Sequence, residues 1–290
     1  LEGSVRKSGD KVRINAQLIN AVNDYHVWAE RFDGKNENIF ALQDRITERI
    51  VSALAIKLSA SEKKVVAEKG TANMDAHDAF LRGMAHYRKF TAEDLVKAVE
   101  YFEKAVNLDP DYSKAYANLA NLYMKALYIG KEFWDASGIN FFTARLLARK
   151  NAELSMKNPT SKSYAVLAQL ELYKRNFSKA VDYAKQAEAM SPNDADALYE
   201  LGRILNYAGR LKESIRYIKK SIMLDPLHKS TGQIGMAYFA MGDYKKAVKY
   251  IEKEVKDHPH LYAIQGHLAS AHAFLGNTAK ANKAYEKWRS

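Results

Sequence analysis

The side chains best suited to chemistry in this chain are its histidines and carboxylates, and their spacing decides whether they can act together. His267 and His272 are five residues apart, which on a helix puts them on different sides, so they do not form the i, i+4 pair that grips a metal. His258 and His260 flank Pro259 in a turn, with no third ligand type close in sequence. Asp and Glu are abundant, but in helical stretches they stand one turn from Lys and read as surface ion pairs. The chain has no cysteine, which excludes thiolate metal sites, disulfides and thiol nucleophiles. The sequence has no glycine-rich phosphate loop, no G-x-G-x-x-G, no H-E-x-x-H and no G-x-S-x-G. Because no nucleophile, base and oxyanion donors come together, the expectation is a chain without catalytic activity and without a cofactor.

The elements that position surface chemistry follow from composition. At 290 residues the chain is long for one solid core and suits two domains or an elongated array. Hydrophobic residues make up 47% and charged residues 27%, a globular balance, and only 14 Gly and 5 Pro interrupt it, which favours long helices. No stretch reaches the 18 or so apolar residues of a membrane span. The net charge of +11 raises nucleic acid as a partner, but Lys and Arg alternate with Glu and Asp in segments such as KAVEYFEKAV, the pattern of solvated helix faces. The chain starts at Leu1 without Met or a signal-like segment and reads as a portion of a longer protein, with a cytoplasmic location expected.

Two regimes meet between residues 60 and 76. Polar and apolar residues alternate over Lys11–Leu18 and again over Tyr25–Phe32 after Asn23-Asp24, a hairpin pattern, and Ser8-Gly9-Asp10 turns a short strand at Gly3–Lys7 onto it. A helical period then predicts a helix over Asn36–Leu58, with Ile39, Phe40, Leu42, Ile46, Ile50, Val51 and Leu54 on one stripe. Residues 1–60 thus form a small α+β segment, 61–75 a linker, and 76–290 a different architecture.

That second region repeats. Pro110, Pro159, Pro192, Pro226 and Pro259 are separated by 49, 33, 34 and 33 residues. Before each lies a triplet at i, i+4, i+7: Ala98/Phe102/Ala105, Ala148/Ala152/Ser155, Ala180/Ala184/Ala187, Ser214/Ile218/Ser221 and Ala247/Ile251/Glu254, with Ala281/Tyr285/Trp288 closing the chain. After the prolines come Leu119/Ala120, Leu167/Ala168, Leu201/Gly202, Ile234/Gly235 and Leu268/Ala269. Small residues on facing helices let two backbones approach closely, and Pro ends the second helix of each pair. Gly209, Gly242 and Gly276 fit left-handed caps at the turns inside the later pairs. On these residues the region resembles the tetratricopeptide repeat family. The resemblance implies a mainly α fold, a right-handed superhelix of antiparallel helix pairs, in six units: 76–112, 113–160, 161–194, 195–228, 229–261 and 262–290.

Two units depart from the pattern. The first carries about three extra residues near Arg88–Leu95, and the second stretches Leu119 to Ala148 to 29 residues where 13 is usual. Gly130, Gly138 and Trp134 favour a loop with an aromatic anchor over Tyr128–Phe142, and extension of both helices is the alternative.

By the same resemblance the first helices line the concave side and their variable positions touch a partner. These are Lys114, Ala117, Asn118, Asn121 and Lys125, then Lys162, Gln169 and Tyr173, then Asp196, Tyr199, Arg203, Asn206 and Tyr207. Tyr and Arg are enriched at interface hot spots, and Asn and Gln can hold an extended backbone. Lys114, Asn118, Asn121 and Lys162 partly match the carboxylate-clamp variety of the family. On Leu1–Arg13, Trp28–Phe32 and Ile39–Asp44, residues 1–60 resemble the closing part of the TolB-like domain, which precedes such repeats in bacterial class III adenylate/guanylate cyclase-like proteins and winged-helix regulators. The reading is therefore a protein- or peptide-binding scaffold, the regulatory region of a bacterial signalling protein, with a homodimer through the N-terminal hairpin. A non-catalytic dimerising part of a cyclase-like protein and a basic nucleic-acid-binding array are the alternatives.

Overall fold

The computed structural model describes residues 2–20, 23–35, 39–54, 70–89, 91–225, 230–257 and 262–289. The chain divides into two compact units, 1–68 and 69–290.

In the first unit, strands β1 (Glu2–Ser8), β2 (Lys11–Asn20) and β3 (Tyr25–Lys35) form an antiparallel sheet in the order β1-β2-β3. The register pairs Val5 with Ile14 and Ile14 with Phe32. Because side chains alternate across a strand, Val12, Ile14 and Ala16 share one face with Phe32, and Leu42 of helix α1 (Ile39–Ala53) completes a small core there. Gly9 and Asp24 take the positive φ values, 58° and 55°, that the two tight turns need. The strands run one to three residues beyond the alternating segments at several ends, because ladder hydrogen bonds continue past the apolar pattern. Residues 36–38 and 55–58 of the expected helix, the side chains of Ile39 and Phe40, and residues 61–69 of the linker lie outside the described residues. Leu54 follows the last helical residue and is 41% exposed, so the apolar stripe ends before it.

The second unit is built from helix pairs. They are α2 (Met74–Tyr87) with α3 (Ala92–Leu108), α4 (Ser113–Ile129) with α6 (Phe141–Ser155), and α7 (Ser161–Tyr173) with α8 (Phe177–Met190). Then follow α9 (Ala195–Tyr207) with α10 (Leu211–Leu224), α11 (Gly232–Ala240) with α12 (Tyr244–Asp257), and α13 (Tyr262–Phe274) with α14 (Thr278–Arg289). Helix α2 starts two residues before the expected Ala76, since the Asn73 side chain accepts hydrogen bonds from the backbone N–H groups of Asp75 and Ala76.

The triplets face inward. Ala98, Phe102 and Ala105 are fully buried, as are Ala148, Ala152 and Ser155, and Ser214, Ile218 and Ser221. Size is complementary across each pair. A Cβ on Gly83, Gly202 or Gly235 would fall 2.6 Å from Phe102, 2.4 Å from Ile218 or 2.5 Å from Ile251. Where the glycine is replaced by Ala120 or Ala168, the residue at the matching triplet position is the small Ala152 or Ala184. The last triplet differs: Ala281 is buried, but Tyr285 and Trp288 are 44% and 50% exposed.

Turns within the last four pairs share one chemistry. Gly209, Gly242 and Gly276 have φ of 75°, 79° and 75°, and Arg175 takes the same slot between α7 and α8 at 61°. Each is followed by a backbone N–H donating five residues back, Asn176 to Glu171, Arg210 to Leu205, Asp243 to Tyr238 and Asn277 to His272, the bond that closes a Schellman cap. Pro226 and Pro259, with His258 and His260, lie outside the described residues. At α11, buried Glu254 accepts hydrogen bonds from the backbone N–H groups of Thr231 and Gly232, so a carboxylate fills the small-residue position and caps the helix that follows the turn.

The insertion is helical rather than a loop. Helix α5 (Lys131–Ser137) lies between Gly130 and Gly138, and the anchor is the fully buried Phe133, with Trp134 only partly covered. Phe133 wins that place because it enters the core formed by α2, α3 and α4, while α4 itself extends to 17 residues.

Candidate functional site

Helices α2, α4, α7 and α9 bring polar side chains from four repeats to one place. Tyr87, at the end of α2, is its centre. Its hydroxyl accepts a 2.8 Å hydrogen bond from Asn121 Nδ2 of α4. The Lys125 ammonium lies 5.5 Å from the ring centroid and the Lys162 ammonium of α7 lies 6.0 Å from it, both within cation–π range. Lys162 also donates to Asn118 Oδ1 at 3.3 Å, and Asn118 Nδ2 donates to the Lys114 carbonyl at 2.8 Å. Asn118 and Asn121 are buried, so their amides are held in fixed orientations.

The far wall comes from α9. A concavity of about 100 Å³ is lined by Asn121, Lys125, Lys162 and Gln169 on one side and by Asp196 and Tyr199 on the other. Burial pushes the Lys162 ammonium below its usual pKa, and Asp196 opposes that shift while Lys125 reinforces it. Lys125 is also opposed by burial, but Tyr87 and Asp196 outweigh it and the net shift is upward. Burial raises the Tyr87 phenol, and it raises Tyr199 to about 12. The site is therefore a partly desolvated polar cleft with two ammonium groups facing a carboxylate. Such a cleft suits an extended chain that supplies amide groups and a negative charge.

Some of the expected contact residues lie elsewhere. Lys114 is exposed and sits 5.5 Å from the Phe80 ring centroid. Ala117 is fully buried. Tyr173 is 38% exposed beside Arg145, whose guanidinium carbon is 5.3 Å from its ring, next to the insertion. Arg203 is buried, and Glu200 on its own helix binds it through Nε at 3.0 Å and Nη2 at 2.8 Å. Asn206 Nδ2 donates to the carbonyl and side-chain oxygens of Gln233 on α11. Tyr199 shares a 2.9 Å hydrogen bond with Ser230, whereas Tyr207 is half exposed. Sequence reasoning missed Tyr87 and Glu200. Tyr87 stands four residues after Gly83, as Asn206 stands four after Gly202, so the periodic signal existed in the first unit as well. Among the described residues no group of three or more His, Asp or Glu is placed to hold a metal ion. No helix among them is long and apolar enough to cross a membrane.

Tetratricopeptide repeat family models match residues 166–227, and residues 91–112 and 229–255. The chain is 38% identical over 120 residues to "Putative adenylate cyclase 3" of Rhizobium meliloti (strain 1021), a match over 41% of this chain and 20% of that protein. It is 26% identical over 172 residues to "Transcriptional regulator HilA" of Salmonella typhimurium (strain LT2), covering 59% of this chain and 30% of that one. This chain therefore spans a fifth to a third of the length of these relatives. Among solved structures, the APC/C hetero-tetramer Cut9-Hcn1 aligns with a TM-score of 0.55 and 14% identity, over 87% of this chain and 50% of that chain, a likeness of fold.

Proposed function

Since the chain carries tetratricopeptide repeats in a superhelical array of helix pairs, we propose that it is a protein-interaction scaffold holding an extended protein or peptide segment in the groove of α2, α4, α7 and α9. The observation that carries this reading is the convergence of Asn121, Lys125 and Lys162 on Tyr87, with Asp196 and Tyr199 facing them. Buried amides offer hydrogen bonds to a peptide backbone, the two ammonium groups favour an acidic side chain or terminal carboxylate, and Tyr87 and Tyr199 supply aromatic surface. Gln169 extends the floor, and Arg203 and Asn206 stiffen the α9 wall through their own partners. Lys114, Tyr173 and Tyr207 stand exposed on α4, α7 and α9 outside the cleft lining, where in this reading they add rim contacts. No enzymatic step is assigned to the chain, which needs no cofactor for this role.

The likeness to a protein named as an adenylate cyclase and to a transcriptional regulator supports placing this scaffold in the regulatory region of a bacterial signalling protein. Selection of random peptides on the full chain tests the groove. Enriched peptides should carry an acidic residue, and their affinity, read by fluorescence polarisation, should fall about tenfold or more in Lys125→Ser and Tyr199→Ala. Peptides that bind those variants as tightly as the parent chain reject the groove.

A second reading, homodimerisation through the sheet, is favoured by one observation. Every residue of β1 is exposed, including Val5 at 68%, and β1 pairs on one side only among the described residues. A free strand edge of this length templates addition of another strand.

A further inference from the structure

The second helix of each pair turns one face away from its inward triplet, and the charge on those faces changes along the array. Helices α3, α6 and α8 together carry seven Lys and Arg against seven Asp and Glu. Helices α10, α12 and α14 carry 13 against five, which accounts for eight of the chain's eleven net positive charges. Two residues along a helix turn through about 200°, so the position two after the first triplet residue stands opposite the buried face. That slot holds Glu100, Lys150 and Asp182 in α3, α6 and α8, but Arg216, Lys249 and Lys283, all exposed, in α10, α12 and α14. Lys212 and Lys219 flank Arg216 on α10, and Lys245, Lys253 and Lys256 surround Lys249 on α12, each of them exposed as well.

Most acidic groups of these helices are engaged away from that face. Glu213 pairs with Arg210 at the turn, Glu254 is buried on the N–H groups of Thr231 and Gly232, and Glu252 lies 3.5 Å from His272 Nε2. That leaves Asp257 at the end of α12 and Glu286 on α14. Among the described residues, none of Lys212, Lys219, Lys245, Lys249, Lys253 and Lys256 is in an ion pair. Lys212 with Arg216, Lys245 with Lys249 and Lys249 with Lys253 are instead like-charge i, i+4 pairs, which weaken a helix standing alone. An apposed polyanion reverses that penalty.

We propose that the outward faces of α10 and α12, continued by α14, dock the phosphate backbone of a nucleic-acid duplex without regard to base sequence. This surface shares no helix with the groove of α2, α4, α7 and α9. Eleven of its 13 basic residues are Lys, which act as point charges on phosphates and lack the fork that reads base edges. Lys245, Lys249 and Lys256 extend over about 16 Å of helix, the length of about five stacked base pairs. Stacking on unpaired bases needs accessible rings, but Tyr250 is stacked on Tyr238 and Tyr217 packs on a buried cluster. A bilayer surface needs an apolar stripe on the docking face, and Met223 is the one large apolar side chain among the described outward slots. A paired, regularly charged backbone is the partner that remains.

Fluorescence anisotropy of the full chain with labelled DNA and RNA duplexes of arbitrary sequence tests the surface. Engagement of about four phosphates should make the affinity fall about a hundredfold between 50 and 200 mM salt. Lys249→Glu/Lys253→Glu should weaken binding at least about tenfold and flatten the salt dependence, with the melting temperature unchanged. Lys97→Glu/Lys104→Glu on α3 makes the same change in net charge and should stay within about threefold of the parent chain. A preference for one duplex identifies which nucleic acid is held, and equal binding identifies backbone charge alone. Equal losses in the two double variants, or no binding at 50 mM salt, overturn the proposal. So does binding to phosphatidylserine vesicles or poly-glutamate as tight as to the duplexes, which would assign the face to a membrane or an acidic protein. If Lys249→Glu/Lys253→Glu does not fold, Lys212→Glu/Lys219→Glu decides the matter on α10.

Discussion

Gly202 and Ile218 share a space that only one of them can fill: a Cβ on Gly202 would lie 2.4 Å from Ile218 Cγ1. The contact sets how closely α9 and α10 pack. Gly202→Leu is expected to overpack it and cost about 1–3 kcal/mol. Ile218→Ala in the same chain should relieve part of that loss, because the methylene groups in conflict are removed. Thermal or urea unfolding of the two single variants and the double variant measures the coupling, and additive losses would show that the register is wrong.

Arg175 occupies at φ 61° the slot that Gly209, Gly242 and Gly276 occupy in later repeats. A side chain in that conformation is strained, whereas glycine is not. Arg175→Gly is therefore expected to stabilise the chain by about 1 kcal/mol, readable in the urea midpoint. A destabilised variant would mean that the arginine makes contacts worth more than its strain.

The hydroxyl of Tyr87 is the acceptor for the buried Asn121 amide. Tyr87→Phe leaves that amide without its partner and should cost about 1–3 kcal/mol. Peptide affinity should fall as well, since Asn121 loses its fixed orientation. A variant with normal stability but weakened peptide binding would separate the two roles.

Acid should destabilise the repeats in two stages. His77 has its pKa lowered by burial first and by the Lys114 ammonium next, against Asp78, so the unfolded chain takes up its proton before the folded one. Stability from this group falls as pH drops below about 6.5. Asp94 is lowered to about 2, chiefly by the His86 hydrogen bond at 2.7 Å, so its contribution is intact above the ordinary Asp value and is lost as pH falls toward 2. His77→Gln should flatten the first stage only, and Asp94→Asn the second only, in unfolding measured across pH.

If β1 recruits a second copy, the full chain should sediment as a dimer and a chain starting at Gly70 as a monomer. Val5→Lys should shift the full chain toward monomer, because a charge on a strand discourages pairing. A monomer in every case removes the sheet as an interface.

The repeats were legible in the linear sequence because burial follows a local period. Residues at i, i+4 and i+7 share a helix face wherever the helix lies, so Ala98, Phe102 and Ala105, or Gly202 opposite Ile218, could be assigned inward before any fold was known. Turn glycines and the alternation of β2 and β3 are likewise local. The polar cleft around Tyr87 is not. Tyr87 meets Asn121 across 34 residues, and Lys162 meets Asn118 across 44, through the stacking angle between successive pairs, which no local period encodes. For the same reason Asn206 could be placed on a helix face but not paired with Gln233 of α11, and Glu254 was read as a packing residue and instead caps α11. A polar side chain on a helix face has several possible partners, and tertiary packing alone selects which one it reaches, because the selection depends on distances between helices rather than on spacing within one.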